Sequence, residues 1–211
     1  MSDQAMSSPE STAPPVLCLG SASPRRRELL AQIGVAHSVV PAHIDERRLS
    51  EEAPPEYVLR IARAKALRVR EREPRLPVLA ADTAVVLGGE VFGKPRDRAE
   101  GIAMLEALCG RAHEVLTAVA LATGGGLSAA LSVSTVRLRE MSEAERAQYW
   151  DTGEPHDKAG AYAIQGRGAV FVESLVGSFS GVMGLPLFET AQLLAEAGVS
   201  YWLRAPRGER P

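Results

Sequence analysis

HEVLTAVALATGGGLSAALSVSTVRLR (113–139) decides the fold. Two runs rich in Val, Ala, Leu and Thr, 113–123 and 127–139, flank Gly124, Gly125 and Gly126. Strand-forming runs joined by a short glycine turn predict an antiparallel hairpin, because glycine supplies the positive φ of a tight connection. A long hairpin has no place in a purely parallel sheet, whose strands are joined by crossover helices.

The elements on either side alternate. VLCLG (16–20) predicts a short strand, and Ser23-Pro24 opens a helix with Ser23 as N-cap and Pro24 in the first turn, closed by Gly34. HSVVP (37–41) is a second strand, followed by an acidic loop with Asp45-Glu46. Pro54-Pro55 starts a helix to about Arg72, with Val58, Ile61, Ala62, Ala66 and Val69 at helical spacing. PVLAADTAVVL (77–87) is a strand, returned by Gly88-Gly89 into EVF. Asp97 and Glu100 predict a capping box for a helix over 98–109, and Ser142 and Glu145 another for a helix ended by Gly153. A glycine-rich polar loop, a strand AVFVESL (169–175), the short segment SFSGVMG, a helix over 186–197 and a last strand VSYWLR (199–204) complete the series. Strands alternating with helices around an embedded hairpin predict an α/β protein with a long mixed sheet and flanking helices. Residues 1–15 read as a disordered leader rich in Ser, Pro and Ala, 16–204 as one domain, and 205–211 as a flexible tail.

Bulk properties narrow the classes. With 45% hydrophobic residues the 211-residue chain can build a substantial core. A net charge of −2 argues against nonspecific nucleic-acid binding, which needs a basic face. No apolar run reaches the ~18 residues of a membrane span. Cys18 and Cys109 sit in apolar surroundings without a CxxC or Cys/His cluster, and read as reduced, buried thiols of a cytoplasmic protein.

Three segments carry chemistry. In GSASPRRRELL (20–30), small residues precede a helix N-terminus, and Arg25, Arg26 and Arg27 fall in its first turn. Arginines there oppose the helix dipole, which makes sense beside a bound anion; the alternative is a basic surface turn. In LAADTAVVLGGEVFGKP (79–95), Asp82 interrupts an apolar strand. A buried carboxylate needs a cation, whether a metal, a lysine or an arginine, and Lys94 is the near candidate; the alternative is a strand-end cap. TGEPHDKAGAYAIQGRGAVFV (152–172) spaces Glu154, His156, Asp157, Lys158, Gln165 and Arg167 with small residues. Asp157-Lys158 offers one metal or water contact and one phosphate contact, against the alternative of a solvated loop. Asp45-Glu46 and Lys65 say little alone, since such a pair is usually solvated and a mid-helix lysine usually faces water. Of 24 basic residues only Lys65, Lys94 and Lys158 are lysine, and each falls in one of these suspect stretches. Lysine is a compact point charge with freely aimed donors, unlike the planar arginine fork.

Taken together, SASPRRRELL, DE, ARAKA, ADTAVVLGGEVFGKP, HEVLTAVAL, TGEPHDKAGAYAIQGRGAVFVE and GVMGLPL resemble, in order, the Maf family of nucleotide pyrophosphatases. Gly20 stands where the family usually has alanine. The resemblance implies two α/β lobes around a cleft, of the Maf/inosine-triphosphate-pyrophosphatase type, usually dimeric and cytoplasmic. It implies cleavage of a nucleoside triphosphate between the α and β phosphates, with a divalent cation, Mg²⁺ or Mn²⁺. The family's proton acceptor falls on Asp82, and the specificity positions of its dTTP/UTP branch on Arg25, Thr83 and Gln165. Glu46 and Lys94 join Asp82 as expected catalytic residues. Ser21, Ser23, Arg26, Lys65 and Lys158 are expected to bind substrate, and Asp82, Glu46 and Asp157 to hold the metal. The alternative is a nucleotide-binding regulator of septum formation that needs no catalysis; an intact Asp82 and Glu46 favours the enzyme. The expected partners are a nucleoside triphosphate and a second copy of the chain, with no nucleic acid and no membrane.

Overall fold

The computed structural model describes residues 14–202. The expected leader lies almost wholly, and the expected tail wholly, outside the described residues, as do the last two residues of the strand expected over 199–204. Residues 199–202 are not a strand; Trp202 instead donates its backbone N–H to the Ile33 carbonyl.

The hairpin is the spine. Strands β5 (Ala112–Thr123) and β6 (Gly126–Leu138) pair antiparallel over their whole length. β5 also pairs antiparallel with β3 (Val78–Leu87), whose hairpin partner is β4 (Glu90–Phe92). β1 (Leu17–Leu19) lies parallel to both β3 and β2 (His37–Val39), and β7 (Val172–Val176) closes the far edge against β6. The resulting sheet is mixed and seven-stranded, in the order β2-β1-β3-β5-β6-β7 with β4 beside β3. The expected mixed sheet is therefore present.

The pleat divides the core. On one face, Ala80 and Ala84 of β3 and Leu116, Ala118 and Ala120 of β5 pack under α2 (Pro54–Arg70), whose Val58, Ala62, Ala66 and Val69 point inward. Small residues on the strands let the helix sit close. On the other face, α1 (Pro24–Gln32) and α6 (Leu187–Glu196) cover Leu79, Ala81, Val119 and Leu121. Farther along the same strands, α3 (Arg98–Leu108) and α4 (Glu143–Asp151) cover Val85 and Val115 in a separate cluster. Two cores thus share one face, and Thr83 and Thr117, paired in register, stand between them.

Several expectations need correction. The polar stretch after α4 is not a plain loop but three 3₁₀ turns, Glu154–Asp157, Ala159–Ala161 and Gly166–Phe171. The last turn takes up the start of the expected strand, so β7 begins only at Val172. Residues Phe179–Met183 form a short helix, α5. Ser142 and Glu145 make the reciprocal capping box, but Asp97 makes only half of one. The Glu100 carboxylate accepts from the Arg96 backbone and guanidinium instead. Ser23 stands at the N-cap of α1 without a side-chain cap bond.

Gly101 of α3 faces the Trp150 ring of α4 so closely that a Cβ there would overlap the ring. Gly101→Ala should therefore destabilise the fold by about 1–3 kcal/mol, despite alanine's better helix propensity. A thermal melt checks this; a midpoint equal to wild type would show that the two helices have room to part.

Candidate active site

β3 has β5 along one side, but on the other it pairs with β1 only at Val78–Leu79 and with β4 only from Val85. Between these lies an open strand edge carrying Asp82 and Thr83. A cleft of about 650 Å³ opens there, and every residue expected to act lines it. Four parts of the chain supply them. The turn before α1 brings Ser21, Ser23, Arg25 and Arg26, and the loop before α2 with α2 itself brings Glu46 and Lys65. β3 and its return turn bring Asp82, Thr83 and Lys94, and the 3₁₀ segment brings Asp157, Lys158 and Gln165.

Asp82 and Thr83 point to opposite faces of the sheet and do different things. Asp82 faces α2, where Lys65 Nζ donates to its Oδ1 at 2.8 Å and to Glu46 Oε2 at 2.8 Å. Lys65 is buried, contrary to the usual mid-helix lysine, and it replaces Lys94 as the partner of Asp82. The reason is register. Lys65 follows Ile61 and Ala62 on the inward stripe of α2, so its stem is buried with that stripe and its head emerges over Asp82. Burial raises the Asp82 carboxyl above its ordinary value, and the Lys65 charge and hydrogen bond only partly offset this. A carboxylate moved toward neutral pH suits a general base. Glu46 is half exposed. Its loop is tied to α2 by Arg60, which pairs with Glu52 and donates to the Arg47 carbonyl, and by Tyr57, whose hydroxyl donates to the Glu46 carbonyl.

Thr83 faces the other side. Arg26 donates to Thr83 Oγ1 at 3.2 Å, to Ser21 Oγ at 3.1 Å and to the Gly184 carbonyl at 2.7 Å. Arg26 thus staples α1, β3 and the α5–α6 turn together. Arg25 reaches across the cleft to Asp157 at 3.2 Å, and Arg27 is exposed.

Asp157 departs from expectation. Among the described residues no three His, Cys, Asp or Glu side chains gather as a metal-ligating group. Asp157 does not join Asp82 and Glu46 because Lys158, at 2.6 Å, and Arg25 draw its carboxylate away. Burial works upward on its pKa, but these two cations outweigh it and hold the carboxyl below its ordinary range. Lys158 also donates to the Glu154 carbonyl. Lys94 is exposed at the cleft rim and, among the described residues, forms no ion pair.

The turn bearing Gln165 is held by a residue not assigned to the site. Glu154 accepts from the Tyr149 hydroxyl at 2.7 Å and from the backbone N–H groups of Arg167 and Gly168 at 2.8 Å each. Gly166 adopts φ +72° against that carboxylate, where a side chain would be both strained and crowded. The only sequence signal was a carboxylate ahead of a glycine-rich turn. Thr117 is likewise unanticipated: a buried hydroxyl in an otherwise apolar strand, bonded to Thr83 and to the Gly181 carbonyl. Of the histidines, His113 is buried against the Tyr162 hydroxyl at 2.7 Å, and burial pushes its pKa down to about 4, which leaves it neutral and structural at pH 7.

The family profile described as Maf-like protein matches residues 16–197, most of the chain and the whole cleft. The chain belongs to the Maf family. It is 53% identical over 195 residues to the dTTP/UTP pyrophosphatase of Bordetella avium, covering 88% of this chain and 97% of that one. It is 53% identical over 194 residues to the dTTP/UTP pyrophosphatase of Nitrosospira multiformis, covering 86% and 94%. The Nitrosomonas europaea dTTP/UTP pyrophosphatase is 51% identical over 195 residues, with the same coverage. No helix among the described residues is long and apolar enough to cross a membrane.

The cleft also fits the divalent cation that the resemblance implies. Asp82 and Glu46 each spend one carboxylate oxygen on Lys65, and the other takes no hydrogen bond from a described residue. Hard carboxylate oxygens, one or two per ion and completed by substrate phosphates, are the usual Mg²⁺ environment.

The raised Asp82 pKa has a signed consequence for stability. Protonation of Asp82 favours the folded state, so its stabilising contribution is complete below the unfolded value near 3.8 and is lost as pH rises through the higher folded value. Asp82→Asn removes that titration. The difference in melting temperature, variant minus wild type, should therefore increase between pH 4 and pH 8. A difference that falls with pH would mean that Lys65 stabilises ionised Asp82 more than burial penalises it.

Proposed function

We propose that the chain hydrolyses dTTP and UTP to the monophosphate and pyrophosphate. The observation that carries the reading is the single cleft in which Asp82, with its raised pKa, stands among Lys65, Lys94, Lys158, Arg25 and Arg26. The substrate names come from relatives at 51–53% identity. The same reading includes a homodimer acting in the cytoplasm on free nucleotides, with neither nucleic acid nor membrane as partner.

Splitting a phosphoanhydride needs an aligned water and neutralisation of phosphate charge more than covalent help. Asp82 accepts a proton from water as its oxygen attacks the α-phosphorus, and the bond from that phosphorus to the bridging oxygen breaks. Pyrophosphate leaves with the electron pair. Lys65 holds Asp82 in place and keeps it mostly ionised at neutral pH. Lys94 and Lys158 meet phosphate oxygens as point charges, and Lys158 exchanges Asp157 for phosphate when substrate enters. Ser21 and Ser23, at the N-terminus of α1, add neutral donors. A divalent cation held by Asp82 and Glu46 together with phosphate oxygens would supply further charge neutralisation. Arg25 and Gln165 stand at the base end, where the Gln165 amide offers both a donor and an acceptor to a uracil-type edge.

A panel of nucleoside triphosphates with Mg²⁺ or Mn²⁺ tests the reading. Pyrophosphate should appear first from dTTP and UTP; orthophosphate as the first product, or no product, would contradict it. Asp82→Ala should lower kcat by ~10²–10⁴ in a chain that still folds, and retained activity would move the base to Glu46. Lys94→Arg should lower kcat/KM by roughly tenfold or more although charge is conserved. A fully active variant would make Lys94 an ordinary surface lysine.

A further inference from the structure

The hydrogen bonds around Arg26 fix which way two hydroxyls in the cleft can face. Thr117 Oγ1 lies 2.7 Å from the Gly181 carbonyl and 3.1 Å from Thr83 Oγ1. A hydroxyl has one proton, and a carbonyl can only accept. The Thr117 proton therefore belongs to Gly181, and the contact between the threonines requires Thr83 to donate to Thr117. Arg26, which can only donate, points at Thr83 Oγ1 from 3.2 Å. With its proton spent on Thr117 and one lone pair spent on Arg26, Thr83 has a lone pair and nothing else to offer a ligand.

Ser21 is locked the opposite way. Its Oγ accepts from the Ser23 backbone N–H at 3.2 Å and from Arg26 at 3.1 Å. Both lone pairs are used, and its proton remains free. Phosphate oxygens carry no proton at neutral pH except at the terminal phosphate, so they suit Ser21 and are repelled by Thr83. Space is left open at Thr83 because Gly184, with φ +115°, lies opposite: a Cβ there would sit 3.6 Å from Thr83 Oγ1.

We infer that Thr83 is an obligate acceptor that takes the ring N–H of a uracil or thymine base, that Thr117 is the positioning residue enforcing this polarity, and that the cleft thereby rejects cytosine, which presents a lone pair at the same ring position. The inference rests on the proposed pyrimidine triphosphate reading and adds to it the exclusion of cytosine and a role for Thr117. Two facing lone pairs leave a desolvated polar group unpaired on each side, which is why a site built around one hydrogen-bond pattern discriminates so strongly against its inverse.

The test measures kcat/KM for UTP and CTP in the wild type, Thr117→Val, Thr117→Ser and Thr83→Val. Circular dichroism and a thermal melt confirm folding. Wild type should favour UTP by about tenfold or more. Thr117→Val frees the Thr83 proton, so the ratio should shrink about tenfold, mainly through a lower KM for CTP, with kcat for UTP near wild type. Thr117→Ser keeps the proton path and should restore the wild-type ratio, which a merely structural role for Thr117 would not require. A wild type that does not distinguish UTP from CTP, or a folded Thr117→Val with an unchanged ratio, overturns the inference. If Thr117→Val does not fold, Thr83→Val decides: the ratio should collapse through a raised KM for UTP, and an unchanged ratio overturns the inference. Calorimetric binding of UMP and CMP to the same proteins separates the two claims. A wild type that releases no pyrophosphate from UTP but still prefers UMP would sink the proposed reaction and leave the polarity of Thr83 standing.

Discussion

The contact between Lys65 and Asp82 is the constraint on which the rest of the structure depends. An ionised carboxylate in the middle of an apolar strand would be prohibitive without a cation, and a buried ammonium would be equally so without an anion. Each is tolerated because the other is 2.8 Å away. That requirement fixes the register of α2 over β3 and β5, and the small residues on those strands, Ala80, Ala84, Ala118 and Ala120, allow the helix to come close enough. The third donor position of Lys65 then gathers Glu46, and the Arg60–Glu52 pair keeps the Glu46 loop within reach. One lysine thus orients two carboxylates from different parts of the chain. Burial leaves Asp82 with a raised pKa, the condition a general base needs.

The sheet supplies the second condition, an edge at which chemistry can occur. β3 lacks a neighbour between β1 and β4, and the break in pairing coincides with Asp82 and Thr83. Because successive residues of a strand face opposite sides, a single dipeptide serves two environments. Asp82 enters the charged environment under α2. Thr83 enters a neutral network of hydroxyls and carbonyls organised by Arg26, between the two cores of the opposite face. Charge for phosphates and hydrogen-bond polarity for a base are separated by the thickness of one strand.

Much of this was legible in the sequence. The glycine turn between 124 and 126 identified the hairpin, and the hairpin excluded a parallel sheet. An aspartate in LAADTAVV demanded a cation, and one is present. What failed were inferences that depended on which side chains meet in space. Lys94 is near Asp82 in sequence, but its turn carries it to the rim. Lys65 was unremarkable until α2 was docked, because burial of a helix stripe is settled by tertiary packing and not by local pattern. Asp157 was grouped with the other carboxylates by type, yet Lys158 and Arg25 hold it apart. Glu100 made half a capping box because Arg96 competed for it. The scarcity of lysine was informative: arginines such as Arg26 and Arg60 spread several donors over hydroxyls, carbonyls and a carboxylate, whereas Lys65 places one charge between two carboxylates.

The central claim is that burial outweighs Lys65 in setting the protonation of Asp82. A ¹³C NMR titration of the Asp82 carboxyl, in the wild type and in Lys65→Met, measures this directly. The account predicts a wild-type pKa above the ordinary value of 3.8 and a higher one still in the variant. A wild-type value at or below 3.8, or no change on removing the lysine charge, would contradict it.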